Sequence, residues 1–153
     1  MSEKEKPKAL QIIIGLIFMV AMVFFGPKLF NYSNNSSKSS SGGGYNNVDK
    51  QLLKASSEFN TQTPFMLDED TSFDNMIAFP DKILQCNLTI VDMTKEEIDP
   101  DYFENVKSLV IDLMRNDTDM EFFRQHNVTI KLAYKDMENV FIKYENITPD
   151  MYK

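Results

Sequence analysis

The feature that most constrains this chain is an uncharged, strongly apolar run at residues 9–26, ALQIIIGLIFMVAMVFFG. As a helix this run is about 27 Å long, close to the roughly 30 Å thickness of the hydrocarbon core of a bilayer. A helix satisfies its own backbone hydrogen bonds in lipid, and Leu29 and Phe30 extend the apolar length. The sequence therefore predicts a transmembrane anchor over residues 9–30.

A cleaved signal peptide is the second interpretation of this run, because three lysines precede it within the first eight residues. Cleavage needs small residues after the apolar run, whereas Val23, Phe24 and Phe25 stand here and Pro27 follows. We therefore expect the run to stay attached as a signal anchor. The lysine bias favours a cytoplasmic tail at residues 1–8 and a periplasmic or extracellular domain in a single-pass membrane protein.

Residues 31–47, NYSNNSSKSSSGGGYNN, are a low-complexity tract in which Ser, Asn and Gly make up 14 of 17 positions. Such a composition cannot bury enough apolar surface to offset the conformational entropy lost on ordering. The tract is therefore predicted to be a flexible linker. It would hold a folded domain, residues 48–153, away from the membrane.

Composition excludes several kinds of functional site. The chain has 16 Lys and Arg against 23 Asp and Glu, a net charge of −7, with one Cys and one His. A single Cys excludes an internal disulfide framework and a Cys-based zinc site, and a single His excludes a multi-His metal site. The acidic balance argues against nucleic acid as a partner, because phosphates attract Lys and Arg. We expect no cofactor and no metal.

The first half of the domain is predicted to be a helix followed by a β-hairpin. Apolar side chains recur at helical spacing over residues 49–59, and alternation then predicts strands over 72–79 and 82–93. In the first strand the side chains predicted to share one face are Phe73, Asn75, Ile77 and Phe79. In the second strand the side chains predicted to share one face, an apolar one, are Leu84, Cys86, Leu88 and Ile90.

The second half is predicted to contain two helices and another hairpin. Asp99-Pro100 begins a helix that runs to Arg115, with Asp as the N-cap, and Thr118 with Glu121 fits a capping box. The last hairpin turns at residues 136–139. The order α-ββ-α-α-ββ predicts an α+β domain, in which helices pack on one side of a four-stranded antiparallel sheet and the other side faces water.

No combination of residues in this domain is typical of catalysis, so we do not expect an enzyme. Cys86 lies on the apolar side of its strand and fits a small buried hydrophobe better than a reactive thiol. His126 stands at a helix end, where a cation complements the helix dipole. The acidic triplet at residues 68–70 lacks the spacing and the Gly of a calcium loop, which favours a solvated loop and leaves a weak divalent-ion site as the alternative.

Three lysines are predicted to project from the polar face of the second hairpin, namely Lys131, Lys135 and Lys143. Residues 49–153 carry a net charge of −10, so these lysines are a candidate partner-binding face. Lysine on exposed strands also prevents edge-to-edge pairing, and this explanation stays open. The predicted function is a membrane-anchored, non-catalytic interaction domain with a protein partner in the envelope. The alternative is a module that binds a small anion or a divalent ion.

Several short motifs run through the domain: Asn60-Thr-Gln-Thr-Pro64, Met66-Leu-Asp68, Thr71-Ser-Phe-Asp74, Thr118-Asp-Met120, Asn127-Val-Thr129 and Tyr134-Lys-Asp136. Their pattern resembles small bacterial envelope proteins that carry a membrane-anchored α+β domain, and the similarity spans most of residues 55–145. The chain departs from this pattern at two turns, where Asp81 and Met137-Glu138 replace an expected Gly. The resemblance implies an extracytoplasmic bacterial domain and no particular activity.

Overall fold

A five-stranded sheet with helices against one side makes up residues 46–153, the part of the chain that this computed structural model describes. The helices are α1 (Asn47–Phe59), α2 (Pro100–Asn116), α3 (Glu121–His126) and α4 (Pro149–Tyr152). The strands are β1 (Phe65–Met66), β2 (Thr71–Phe79), β3 (Ile83–Ile90), β4 (Thr129–Lys135) and β5 (Phe141–Ile147). Single 3₁₀ turns follow α1 at Asn60–Gln62 and precede α3 at Thr118–Met120.

The strands lie across the sheet in chain order, from β1 to β5. Strands β2 and β3 form one antiparallel hairpin and β4 and β5 another, as predicted, but β3 and β4 pair in parallel. Helices α2 and α3 supply the crossover that a parallel pair requires. The predicted four-stranded antiparallel sheet is therefore wrong, because this crossover makes the sheet mixed and the short strand β1 adds a fifth member.

The predicted anchor at residues 9–30 and tail at residues 1–8 lie outside the described residues. Within residues 46–153 no helix has both the length and the apolar character needed to cross a bilayer. The prediction of a transmembrane helix and of a single-pass membrane localisation is corrected accordingly, since the described fold supports neither. The predicted linker at residues 31–47 also lies outside the description except for Asn46, the N-cap of α1, and Asn47, the first residue of that helix.

Helix α1 is fixed to the sheet at both ends. At its start Asn46 and Asp49 cap each other, since each side chain accepts a hydrogen bond from the backbone N–H of the other. Asp49 Oδ1 also accepts from the N–H of Lys82 at 2.8 Å, in the turn between β2 and β3. After the helix the amide of Asn60 donates to the carbonyl of Met76 and accepts from its N–H, both at 2.8 Å. The predicted helix is thus confirmed and tied to β2 and its turn.

A β-bulge in β2 changes which of its side chains are buried. The register with β3 shifts between Phe73 and Asn75, so the residue between them has no partner in the ladder. Phe73 is buried as part of the core, whereas Ile77 and Phe79, predicted to share its face, are exposed. The predicted facing is therefore wrong beyond the bulge, because one extra residue moves every later side chain to the other side.

The core lies between the sheet and the helices. The predicted apolar face of β3 is confirmed, since Leu84, Cys86, Leu88 and Ile90 are all buried. Helix α2 begins as predicted, with Asp99 as its N-cap, and it packs four residues into the same cluster, namely Phe103, Val106, Val110 and Met114. The predicted capping box before α3 is wrong, because Asp117 rather than Thr118 caps the preceding 3₁₀ turn.

Candidate functional site

The side of the sheet opposite the helices, here called the open face, carries no helix within residues 46–153. Side chains that pair across neighbouring strands point to the same side of a sheet. The register therefore places one central row on this face, running from Asn75 through Asn87 and Ala133 to Tyr144. The rows beside it add Ile77, Phe79, Gln85, Thr89, Lys131, Lys135 and Phe141.

Three side-chain amides form a hydrogen-bonded row at the centre of the open face. Gln85 Nε2 donates to Asn87 Oδ1 at 2.7 Å, and Asn87 Nδ2 donates to Asn75 Oδ1 at 2.6 Å. Each bond fixes the rotation of the next amide, so the row is a preorganised polar surface with donor and acceptor groups in set directions. This arrangement suits recognition of polar groups and offers no nucleophile.

Asp74, the bulge residue, organises one end of the open face. Its Oδ2 accepts from Thr89 Oγ1 at 2.6 Å and lies 3.2 Å from Lys135 Nζ, while its Oδ1 accepts from Ser72 Oγ at 3.2 Å. Lys135 Nζ also donates to Asn139 Oδ1 at 2.9 Å. Lys135 is therefore positioned by two acceptors, and Asp74 balances its charge.

An exposed aromatic pair lies at the β5 edge of the open face. The rings of Phe141 and Tyr144 have centroids 4.6 Å apart, and the two residues are 49% and 48% exposed. Lys131 Nζ lies 3.8 Å from the centroid of the Tyr144 ring, within cation–π distance. Aromatic residues are enriched at protein interfaces, and adjacent exposed apolar side chains with polar residues around them are typical of an interaction site. Ile77 and Phe79 expose further apolar area beside the turn between β2 and β3.

The structure does not bring the three predicted lysines together. Lys131 and Lys135 lie on the open face, but Lys143 pairs with Tyr134, whose side chain is buried on the helix side. The physical reason is a register shift, since Tyr134 pairs with Lys143 whereas the next residue, Lys135, pairs with Phe141. One extra residue in β5, between Phe141 and Lys143, reverses the predicted facing of the strand from Lys143 onward.

Lys143 instead belongs to a charged cluster beside α2. Its Nζ bonds Glu145 and lies 5.2 Å from the ring centroid of Phe103, and Lys107 Nζ lies 3.1 Å from the other carboxylate oxygen of Glu145. Burial opposes the charged form of Glu145, but the hydrogen bonds and charges of the two lysines outweigh burial and hold its pKa below the usual value. This cluster stabilises the packing of α2 on β5. Lys143 is therefore bonded to Glu145 on the helix side of the sheet.

Cys86 and His126 occupy structural positions. Cys86 is buried as predicted, and burial raises the pKa of its thiol to about 12. The Nδ1 of His126 lies 2.8 Å from the carbonyl oxygen of Phe122, and the two rings pack with centroids 4.3 Å apart. Asn127 ends α3 in the left-handed conformation, with φ of 57°. Neither side chain is placed to act as a nucleophile or a general base.

The acidic loop at residues 68–70 does not form a cation site. Asp68 Oδ1 accepts from the N–H of Asp70 at 2.9 Å, a local turn bond. Desolvation and the nearby carboxylate of Asp92 raise the pKa of Asp70. Among residues 46–153 no group of three His, Cys, Asp or Glu side chains is close enough to hold a metal ion. The sequence alternative of a divalent-ion site therefore has no support in this loop.

Sequence reasoning missed the aromatic pair, because Phe141 and Tyr144 were expected on opposite faces of an ideal strand. The feature that brings them together is one extra residue in β5, since the seven residues 141–147 lie opposite the six residues 130–135, and only the register reveals it. The amide row was closer to prediction, since Gln85 and Asn87 alternate with apolar residues in the sequence. Asn75 joined them only because the bulge moved it to the polar side.

Comparisons with known proteins identify the fold. No family model matches the chain, and no curated protein matches it in sequence. A candidate secreted protein from Pseudomonas aeruginosa has a similar structure, with a TM-score of 0.59 and 16% identity over 69% of this chain and 93% of that one. Two pilotins of type II secretion systems are also similar, EpsS of Vibrio vulnificus and AspS of Vibrio cholerae.

For EpsS the TM-score is 0.55 at 8% identity, over 69% of this chain and 92% of that chain. For AspS it is 0.53 at 10% identity, again over 69% and 92%. Identities this low show a shared fold and nothing more. The fold is thus one found in bacterial pilotins and in a candidate secreted protein, which is consistent with the resemblance to bacterial envelope proteins.

Proposed function

We propose that the domain is a non-catalytic protein-interaction module of the bacterial envelope and that it binds its protein partner through the open face. The observation that carries this proposal is the half-exposed pair of Phe141 and Tyr144, with Lys131 against the Tyr144 ring. The similarity to pilotins supports it, since those proteins belong to secretion systems.

The open face offers complementary kinds of contact to such a partner. Phe141 and Tyr144 supply apolar area that a partner side chain would cover, and Lys131 supplies one cation at the rim of that area. The amide row, anchored by Asn87, supplies hydrogen bonds that fix the register of the partner. Apolar centres surrounded by polar groups are typical of protein interfaces. The partner is therefore expected to present an apolar side chain with an acidic side chain beside it.

Binding of a small anion by the three lysines is less well supported. Lys135 is paired with Asp74, and Lys143 is bonded to Glu145 on the other side of the sheet. An anion would have to displace a carboxylate from each. A partner that contacts the aromatic pair requires no such exchange.

The experiment is site-specific photo-crosslinking of the full chain in its native cells. A photoreactive phenylalanine analogue replaces Phe141 on the open face, and the matched control replaces Glu58, an exposed residue of α1 on the helix side. A discrete protein adduct at position 141, lost when Lys131→Glu or Tyr144→Ala is added and missing at position 58, supports the proposal. Equal adducts at both positions, or an adduct indifferent to those substitutions, would contradict it.

A further inference from the structure

Strand β5 is the one long edge of the sheet within residues 46–153. It has seven residues and no neighbour on its outer side, whereas β1, at the opposite edge, has two residues. An edge strand exposes unpaired backbone N–H and C=O groups, and another chain can pair with them. The described part of the chain thus offers one edge of useful length at which a sixth strand can join the sheet.

The ladder shows which backbone groups of β5 point outward. The N–H of Thr129 donates to the carbonyl of Lys82 at 2.9 Å, so alternate residues of β4 from Thr129 onward bond β3, and the residues between them bond β5. The residues of β5 that face these and bond β4 are Lys143, Glu145 and Ile147. The N–H and C=O groups of the two residues between them, Tyr144 and Asn146, therefore point away from β4 toward the free edge.

Exposed apolar side chains are concentrated beside this edge. Of the eight large apolar side chains that are exposed in residues 46–153, four lie in β5 and the turn before it, namely Met137, Val140, Phe141 and Tyr144. A strand added outside β5 would cover part of this area, because cross-strand neighbours on one face contact each other. The free edge is therefore continuous with the aromatic pair of the open face.

The charge pattern of β5 disfavours a second copy of this chain as the added strand. Two antiparallel copies that bond through both Tyr144 and Asn146 would place Glu145 of one copy directly opposite Glu145 of the other. Like charges in facing positions destabilise a strand pair, and residues 49–153 of each copy carry a net charge of −10. A segment of a different protein avoids this repulsion.

Lys131 indicates the charge of a strand that fits. Its ammonium group lies against the Tyr144 ring and makes no ion pair within residues 46–153, whereas Lys135 is paired with Asp74. Lys131 and Asn146 face each other in the register, so the next position outward in that row belongs to the added strand. The pair of Asp74 and Lys135 shows that such side chains meet across an intervening strand. An acidic residue at that outward position is therefore complementary to Lys131.

We propose that the partner supplies an extended segment that pairs with β5 as a sixth strand and bonds the backbone of Tyr144 and Asn146. This inference rests on the proposed function, since it states how the protein partner engages the open face. The segment carries an apolar side chain opposite Tyr144 and an acidic one opposite Asn146, two positions away. Backbone hydrogen bonds supply affinity in this mode of binding, and the alternate side chains supply specificity.

The test compares proline variants at the two edges of the sheet, in the full chain with the photoreactive analogue at position 141 in native cells. Asn146→Pro removes an outward N–H of β5 and no bond to β4, so it should lower the yield of the partner adduct by about tenfold. The matched control is Met66→Pro in β1. The N–H of Leu67 donates to the carbonyl of Thr71, so the N–H of Met66 points outward at the opposite edge, and its loss should leave the yield unchanged.

Two further measurements separate the backbone bond from other effects. Asn146→Ala keeps the N–H and should lose much less of the adduct than Asn146→Pro, and thermal unfolding shows whether each variant folds. Hydrogen exchange needs no proline variant. In the chain that carries only the analogue at position 141, the amides of Tyr144 and Asn146 should exchange fast when free and about tenfold or more slower in the purified adduct.

The outcomes distinguish this inference from the proposed function. Strand addition is overturned if a folded Asn146→Pro chain forms the adduct undiminished, or if the two amides still exchange fast in the adduct, and in either case the open-face interface stands. Absence of any adduct at position 141 overturns the proposed function and strand addition together. An adduct between two copies of this chain, or within one copy, overturns the assignment to a different protein.

Discussion

The carboxylate of Asp74 lies 3.2 Å from the ammonium group of Lys135, although strand β3 separates the two strands that carry them. This reach exists because Asp74 is the extra residue of the β2 bulge and is free of the ladder. Thr89, on the intervening strand, donates to the same carboxylate oxygen. The bulge therefore allows Asp74 to link β2, β3 and β4 across the open face.

Replacing Asp74 by Ala should lower the free energy of unfolding by about 1–2 kcal/mol, because one ion pair and the bond from Thr89 are lost together. Urea unfolding of the full chain measures this change. The matched control is Glu58→Ala, which breaks an exposed pair with Lys54 on α1 and should change stability by less than about 0.5 kcal/mol. Equal effects of the two substitutions would show that the bridge adds nothing.

Replacing Tyr144 by Ala should reduce partner binding by about tenfold or more, since buried aromatic anchors dominate interface energetics. Stability should change little, because the Tyr144 side chain is half exposed in the free domain. Crosslinking yield at position 141 and thermal unfolding measure the two effects separately. Leu53→Ala removes an equally exposed apolar side chain from α1 and should leave the crosslink intact. Loss of the crosslink in Leu53→Ala would point to the helix side instead.

Replacing Asn60 by Ala should destabilise the domain by about 2 kcal/mol, because the amide makes two bonds to the backbone of Met76 in β2. Both backbone groups of Met76 would lose these partners in a partly buried setting. Chemical denaturation measures the loss. The control Asn116→Ala removes a single exposed bond to the carbonyl of Asp112 at the end of α2, so it should cost much less. A loss no greater than that of the control would contradict a clamp between α1 and the sheet.

Glu145 should make the domain sensitive to acid. Its pKa in the folded state is below the usual value of 4.5, so between these two values the unfolded chain binds more protons than the folded one. The stability that ionised Glu145 contributes is therefore complete above about pH 4.5 and is lost as the pH falls through the folded value. Urea unfolding between about pH 3 and 6 should show this loss in the parent chain and a shallower one in Glu145→Gln. Identical slopes for the two proteins would rule the contribution out.

The sequence predicts correctly those local features that depend on a single helix or strand. The stripe of α1, the Asp99 cap of α2 and the apolar face of β3 depend on periodicity and capping chemistry, and all three are confirmed. The parallel pairing of β3 with β4 depends on how α2 and α3 cross the sheet. That path is decided by tertiary packing, which the hairpin patterns do not encode.

The candidate site was harder to predict for a related reason. A single unpaired residue in β2 and another in β5 reverse the facing of everything after them, and no residue type marks either position. The prediction for Lys131 and Lys135 is correct because the extra residue is in β5 and leaves the alternation of β4 intact. The prediction for Lys143 is not, because this residue follows the shift, and the same shift created the contact between Phe141 and Tyr144.

The parallel seam between β3 and β4 has a consequence for how the domain comes into being. Each hairpin closes between neighbours in the chain, but the seam joins segments that are separated by the whole crossover. The chain must close that long loop, at a cost in conformational entropy, before β3 and β4 can pair. Loop closure of this kind slows the folding of chains that are rich in distant contacts. During synthesis the first hairpin therefore leaves the ribosome before the strand that pairs with β3, and β3 stays an unpaired edge strand until β4 follows.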